Sequence, residues 1–254
     1  MIQSVVLAKK LRSGDKISFL IDFEEDNSNI VPTKMNLQII YEDDAYIVIN
    51  KPSNLPVHPS MLHYENSLSN GLKYYFDQIC LKKKIRPVNR LDKDTSGIVV
   101  FAKNEYVQEC LVRQMKNKTF QKEYLAICDG VFEEKIRSGT INFPIARKEN
   151  SIIERCVNKS GDTAITHYNV LKNNFDYSLV YCLLETGRTH QIRVHLSYIG
   201  HPIVGDTLYG KVSNKINRQA LHAYRISFIH PIKKEKVTYI SQLPEDMQNL
   251  ISNM

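Results

Sequence analysis

VNRLDKDTSGIVVFAKN, residues 88–104, is a polar loop that opens directly into an apolar run. Ile98 to Ala102 reads as a buried strand, Gly97 marks the change of conformation, and Asn104 is a candidate N-cap for a helix with Val107, Cys110, Leu111 and Met115 on one face. Asp92 stands in the loop two residues after Arg90. A rigid strand fixes such a loop while leaving it free to reach a ligand, which suits a catalytic carboxylate. The same residues also describe a capped turn, with Asp92 or Asp94 accepting backbone N–H groups and Gly97 supplying an unusual φ, and without further context the turn is the better account.

Upstream, LQIIY (37–41) and YIVIN (46–50) flank Glu42-Asp43-Asp44 as a hairpin, and Lys51-Pro52 ends the second strand. Ser67 is a candidate N-cap for a helix with Leu68, Leu72, Tyr75, Phe76 and Ile79 on its apolar face. A basic run, Lys82 to Arg86, follows and is a candidate contact for an anionic backbone, or else a solvated loop. Downstream, Phe120 to Cys128 alternates as a strand, so Lys122, Tyr124 and Ala126 share a face. Further strands are predicted at 164–171, 177–185, 224–229 and 236–240, and a helix from Thr189 that Gly200 and Pro202 end. Six or so strands and three helices without strict βαβ alternation predict an α+β fold around a largely antiparallel sheet. Residues 1–35, with a turn at Ser13-Gly14-Asp15, a strand-like KISFLIDF and the acidic stretch Glu24 to Asn29, form an appendage and linker, leaving 36–254 as the main domain.

The net charge of +7, from 34 Lys and Arg against 27 Asp and Glu, favours a polyanionic partner such as nucleic acid or an anionic membrane surface. No apolar run approaches the roughly 20 residues that span a bilayer, so no membrane role is expected. Five scattered cysteines without a C-x-x-C pair read as reduced thiols of a cytoplasmic protein. In TGRTHQIRVH (186–195), Arg188 and Arg193 straddle a helix start, where they and two histidines would attract an anion, unless they form a solvated basic face. His190 and His195 lie five apart with no acidic ligand nearby, so no metal is expected. Lys122 and Tyr124 could hold a phosphate and stack on a base, although an ordinary half-buried tyrosine has the same spacing.

Together these segments resemble the RluA-like family of pseudouridine synthases. NRLDKDTSGIVVFAKN is similar to its central H-R-L-D-x-x-T-S-G motif, KEYLA (122–126) to its K-x-Y motif, and TGRTHQIRVHL with GHPIVGD to its C-terminal signature. LHAYRISFIHP and YEDDAYIVINKPSNLPVHPS match in character and order, so the likeness spans roughly residues 37 to 245. The resemblance implies the pseudouridine synthase fold and an RNA isomerase working without a cofactor, since base detachment, rotation and rejoining through carbon 5 need no redox change. Residue by residue, it implies Asp92 as nucleophile, Tyr124 stacking on the target uracil and able to take part in proton removal, Arg193 paired with the carboxylate, and Arg90 entering the RNA stack. Lys122, Arg188 and His190 are the further RNA contacts expected. Asn89 stands where many members have His, which predicts altered loop hydrogen bonding without loss of chemistry. The partner implied is RNA, ribosomal in preference to transfer RNA, bound by a monomer. Two other readings stay open: an RNA-binding protein of the same fold without catalysis, and a hydrolase using the Asp94/His190 neighbourhood.

Overall fold

The computed structural model describes residues 12–16, 23–61 and 63–252. In chain order, β1 (Gln38–Glu42) and β2 (Tyr46–Lys51) form the hairpin expected around Asp43, whose carboxylate accepts the Ala45 and Tyr46 N–H groups at 2.8 and 3.1 Å. Next come α1 (Leu68–Gln78), the short β3 (Arg86–Pro87), β4 (Ser96–Ala102), α2 (Glu105–Lys116) and β5 (Gln121–Asp129). β6 (Ser138–Asn142) precedes a small hairpin of β7 (Ile145–Arg147) and β8 (Arg155–Val157), then the long strands β9 (Ile165–Asn173) and β10 (Tyr177–Leu184). α3 (Gln191–Tyr198), β11 (Leu221–Ile229), β12 (Lys236–Ile240) and α4 (Glu245–Ser252) follow. Ser67 and Asn104 cap α1 and α2 as expected, Ser67 in a reciprocal capping box with Asn70.

The main sheet runs β1-β2-β4-β11-β5-β10-β9-β6, and every pair in it is antiparallel except β4 with β11. That parallel joint is only His222 opposite Ser96 and Ala223 opposite Gly97. Beyond it the two strands part: β3 continues along β4, and β12 along β11. Gly97 makes the joint possible, because at its φ of +112° a Cβ would stand 2.3 Å from the Ala223 carbonyl oxygen. The fork is filled by Val48, Ile98 and Val100 from the sheet, Val107 and Leu111 from α2, and the stacked rings of Phe120 and Phe228. Alternation sends Val99 and Phe101 to the opposite face, onto Leu68, Leu72 and Phe76 of α1. β5 and β10 bury Ala126 and Val180 with Ile192 and Leu196 of α3 and Met247 of α4.

This is the expected α+β architecture, with strands and one helix beyond those predicted. β3, β7 and β8 are only two or three residues long, four of the five residues of β6 are exposed, and α4 begins directly after Pro244, so none carries a strong period. The turn at Ser13-Gly14-Asp15 is present, with Asp15 N–H donating to the Arg12 carbonyl at 3.1 Å; of KISFLIDF, residues 17–22 lie outside the described residues. The acidic linker lies along the basic run: Lys82 pairs with Glu24 at 2.9 Å, Arg86 is buried and forked by Glu25, and Asn27 accepts the Ile85 N–H at 3.2 Å, while Lys82 and Lys84 remain exposed. Carboxylates within reach offset part of that segment's charge. No helix among the described residues is long and apolar enough to cross a membrane.

Candidate active site

Residues 89–95 are shaped by bonds to their backbone, which leaves their side chains for other work. Asn89 donates from Nδ2 to the Ile98 carbonyl at 3.0 Å and accepts the Val100 N–H at 2.9 Å, so its amide zips the loop onto β4. The Asp92 carbonyl accepts the Thr95 N–H at 3.1 Å, closing a turn. The Lys93 carbonyl accepts the Leu55 N–H at 3.1 Å and the Lys51 ammonium at 2.9 Å, and the Asp94 carbonyl accepts Arg218 at 3.2 Å. Lys51 is fully buried, and its Nζ also donates to the Pro52 and Leu55 carbonyls at 2.8 Å each. Burial pushes that ammonium down to about 7, against the pull of the Asp94 and Asp92 charges. The turn is thus present, but the Asp92 carbonyl closes it, and among the described residues neither the Asp92 nor the Asp94 carboxylate caps a backbone N–H.

Asp92 Oδ2 accepts Arg193 Nη1 at 3.0 Å. The other edge of the same guanidinium is gripped by Asp206, Nε to Oδ2 at 2.7 Å and Nη2 to Oδ1 at 2.8 Å, and its plane lies 5.1 Å from the Tyr209 ring centre. Burial disfavours the Arg193 charge, yet the hydrogen bonds and charge of Asp206, with the charge of Asp92, hold it above its usual range. The two carboxylates differ in access: the Asp206 side chain is 0% exposed and that of Asp92 25%, so Asp92 is the one a substrate can meet. Tyr124, on β5, is buried beside it, and both burial and the Asp92 charge raise its phenol well above the usual range.

His190 precedes α3 in the left-handed region, with φ of 57°. Its Nδ1 lies 2.8 Å from the Tyr209 hydroxyl and its Nε2 3.8 Å from Asp92 Oδ2. Burial draws the imidazole below its ordinary range despite the Asp92 charge. Its ring nitrogens therefore address Tyr209 and Asp92, whereas Asp94 is engaged through its carbonyl by Arg218, and the Asp94/His190 acid–base pair of the hydrolase reading is not formed.

Asp92 and Tyr124 open on a groove of about 890 Å³ that runs past Arg90 and Lys122 to Lys116 and Lys118 at the end of α2. Arg90 and Arg188 are exposed at its wall; Arg188 donates to the Thr163 carbonyl at 3.0 Å and faces Asp162 at 3.5 Å. Burial lowers the Lys122 ammonium. A second recess of about 450 Å³ continues from Arg90 and Arg188 to Arg147 and Arg155 on the small hairpin. The structure thus brings Asp92, Tyr124, Arg193 and His190 together and sets Arg90, Lys122 and Arg188 around them. Sequence reasoning passed over Asp206, Tyr209, Lys51 and Arg218. Asp206 ends the quoted GHPIVGD, and an acid placed next to a glycine in that segment was the available signal for it.

A forked sheet that carries an arginine-held carboxylate and a buried tyrosine into an RNA-sized, cation-walled groove has the fold of the pseudouridine synthases. The solved structure of Human RNA Pseudouridylate Synthase Domain Containing 1 superposes with a TM-score of 0.67 at 26% identity, covering 91% of this chain and 97% of that one. The family model described as RNA pseudouridylate synthase matches residues 45–198. An RNA pseudouridine synthase of Bacillus subtilis (strain 168), YhcT, is 41% identical over 98% of this chain and 82% of its own length. Ribosomal large subunit pseudouridine synthase D of Neisseria meningitidis serogroup B is 38% identical over 96% of this chain and 68% of its own. The chain belongs to the RNA pseudouridylate synthase family, and is an isomerase that makes pseudouridine from uridine in RNA.

Proposed function

We propose that Asp92 is the catalytic carboxylate, acting on uridines of large-subunit ribosomal RNA. The observation that carries this is the division of labour between its oxygens: Oδ2 is bound by Arg193, while Oδ1 makes no hydrogen bond among the described residues, on a side chain that is 25% exposed and lines the open groove. A target uridine leaves the RNA stack to reach that oxygen, because its glycosidic bond is inaccessible inside a helix. The bond from N1 to C1′ breaks with its electron pair leaving on uracil, and Asp92 meets the electron-poor sugar carbon as nucleophile or as countercharge. Uracil then turns and C5 bonds C1′, any carboxylate–C1′ bond breaking with its electron pair returning to Asp92; the C5 proton departs and N1 takes up a proton, so the sum is an isomerisation. Tyr124 stacks on the base, offsetting about 1–3 kcal/mol of the unstacking cost. Its raised phenol keeps the proton, which favours stacking over service as a base.

Arg90, Lys122 and Arg188, with Arg147 and Arg155, line the wall that phosphates and flipped nucleotides meet, and Arg90 fills the vacated stack. The ribosomal target rests on the relative from Neisseria, whose name specifies the large ribosomal subunit. Residues 36–254 act as the catalytic unit of a cytoplasmic monomer, with 1–35 as its appendage. The test is tritium release from uracil C5 in large-subunit ribosomal RNA transcripts, with transfer RNA transcripts in parallel. Asp92→Asn abolishes release while keeping most RNA binding; release by that variant at the wild-type rate overturns the assignment, and release only from transfer RNA moves the target.

A further inference from the structure

Arg193 accounts for one partner of the catalytic carboxylate, but a second group faces the same oxygen. His190 Nε2 stands 3.8 Å from Asp92 Oδ2, with the side chain only 12% exposed, on a residue whose backbone sits in the left-handed region. Non-glycine residues adopt that conformation at a cost, and it persists where surrounding structure holds it. The ring is held by Tyr209. The Tyr209 oxygen accepts the Arg155 backbone N–H at 2.7 Å and lies 2.8 Å from His190 Nδ1, where the phenol has a proton to give. An Nδ1 that accepts leaves the imidazole proton on Nε2, the nitrogen aimed at Asp92. The same tyrosine carries the Arg193 guanidinium over its ring, so one side chain seats both groups that address Oδ2.

We propose that His190, with its tautomer set by Tyr209, is a positioning residue: a neutral N–H donor that shares Asp92 Oδ2 with Arg193 and turns Oδ1 toward the sugar. The gap of 3.8 Å is too long for a hydrogen bond and closes by about one ångström when the groove fills, as contacts in empty sites commonly do. A neutral second donor suits this carboxylate better than a second cation, which would make it a poorer nucleophile. The lowered His190 and the position of Arg193 on the same oxygen agree with an uncharged ring. This departs from the expectation that His190 grips RNA, and it rests on Asp92 being the catalytic group.

Three variants test it in the tritium-release assay on large-subunit ribosomal RNA transcripts, with Asp92→Asn as the reference. Asparagine tolerates the left-handed region but is too short to reach Asp92, so His190→Asn removes the donor and spares the helix start. His190→Gln restores an N–H at nearly the right reach, and Tyr209→Phe removes the proton that sets the tautomer. The expected result is a kcat at least about tenfold lower in His190→Asn, the worth of a hydrogen bond to a charged group, with KM changed by less than about twofold. His190→Gln recovers most of that loss, and Tyr209→Phe falls in kcat with KM unmoved. A rise in KM with kcat intact makes His190 an RNA contact and overturns the proposal. Equal losses in the Asn and Gln variants make it a helix-start residue and do the same. A fully active Asp92→Asn removes the parent assignment; an inactive Asp92→Asn beside a fully active His190→Asn removes this one alone.

Discussion

Asp92, Arg193 and Asp206 form a chain of charges in which only the first is open to a ligand, and that gradient separates chemistry from support. Arg193 is bidentate to Asp206 and singly bonded to Asp92, so removing Asp206 takes the fully buried partner and two of the three carboxylate bonds from a buried guanidinium. Asp206→Ala should therefore cost about 3–5 kcal/mol of stability, read from urea midpoints, besides misplacing Arg193. Asp92→Ala leaves Arg193 its buried partner and should cost well under half as much, although it ends activity. At this scale the sequence was legible where a residue's neighbours in the chain gave its context. Asp92, Tyr124 and Arg193 each stood in a segment with its own pattern. Asp206 and Tyr209 act across space on α3, and Lys51 and Arg218 act on backbone carbonyls 42 and 124 residues away, a kind of partner that no spacing announces.

Among the elements, the two-residue joint of β4 and β11 places the loop that bears Asp92, and its parts are under tight steric and protonic control. Gly97→Ala would set a Cβ 2.3 Å from the Ala223 carbonyl oxygen at a φ of +112°. It should destabilise by about 3 kcal/mol or more, measured by thermal or urea unfolding. His222 lies at the same joint, 1% exposed, with Nδ1 on the Ser96 hydroxyl at 2.9 Å and Nε2 on the Ser241 carbonyl at 3.2 Å. Burial foremost, with the Arg218 charge, lowers this imidazole from 6.5 to about 4, against the Ser241 bond and Asp246. Between those values the unfolded chain binds the proton and the folded one does not. Stability should fall as pH drops from about 6.5 to 4, with a slope of up to about 1.4 kcal/mol per unit, and His222→Asn should flatten that slope. The strands flanking this joint were readable because β-branched residues with period two fill them. The joint itself was not, since parallel pairing over two residues leaves no mark beyond a glycine.

For the molecule as a whole, positive charge is divided between a segment that the linker carboxylates partly offset and a wall of arginines around the groove. Lys82 and Arg86 are occupied by the linker carboxylates, whereas Arg90, Arg147, Arg155 and Arg188 surround the recess next to Asp92. Lys82→Ala should leave RNA affinity and its salt dependence unchanged. Arg147→Ala with Arg155→Ala should reduce the slope of log affinity against log salt by about one to two units, measured by filter binding between 50 and 200 mM salt as an order-of-magnitude range. The net charge of +7 pointed to a polyanion but could not say which cations were free, because the carboxylates that pair with Lys82 and Arg86 lie some 60 residues earlier in the chain.

β11 lies in the middle of the sheet, between β4 and β5, though it is one of the last strands in the sequence. During synthesis, the ribosome releases two half-sheets well before it releases the seam that unites them. Arg218, which steadies the Asp94 carbonyl, stands three residues before that seam, so the loop that bears Asp92 gains this brace only after the second half-sheet has been made.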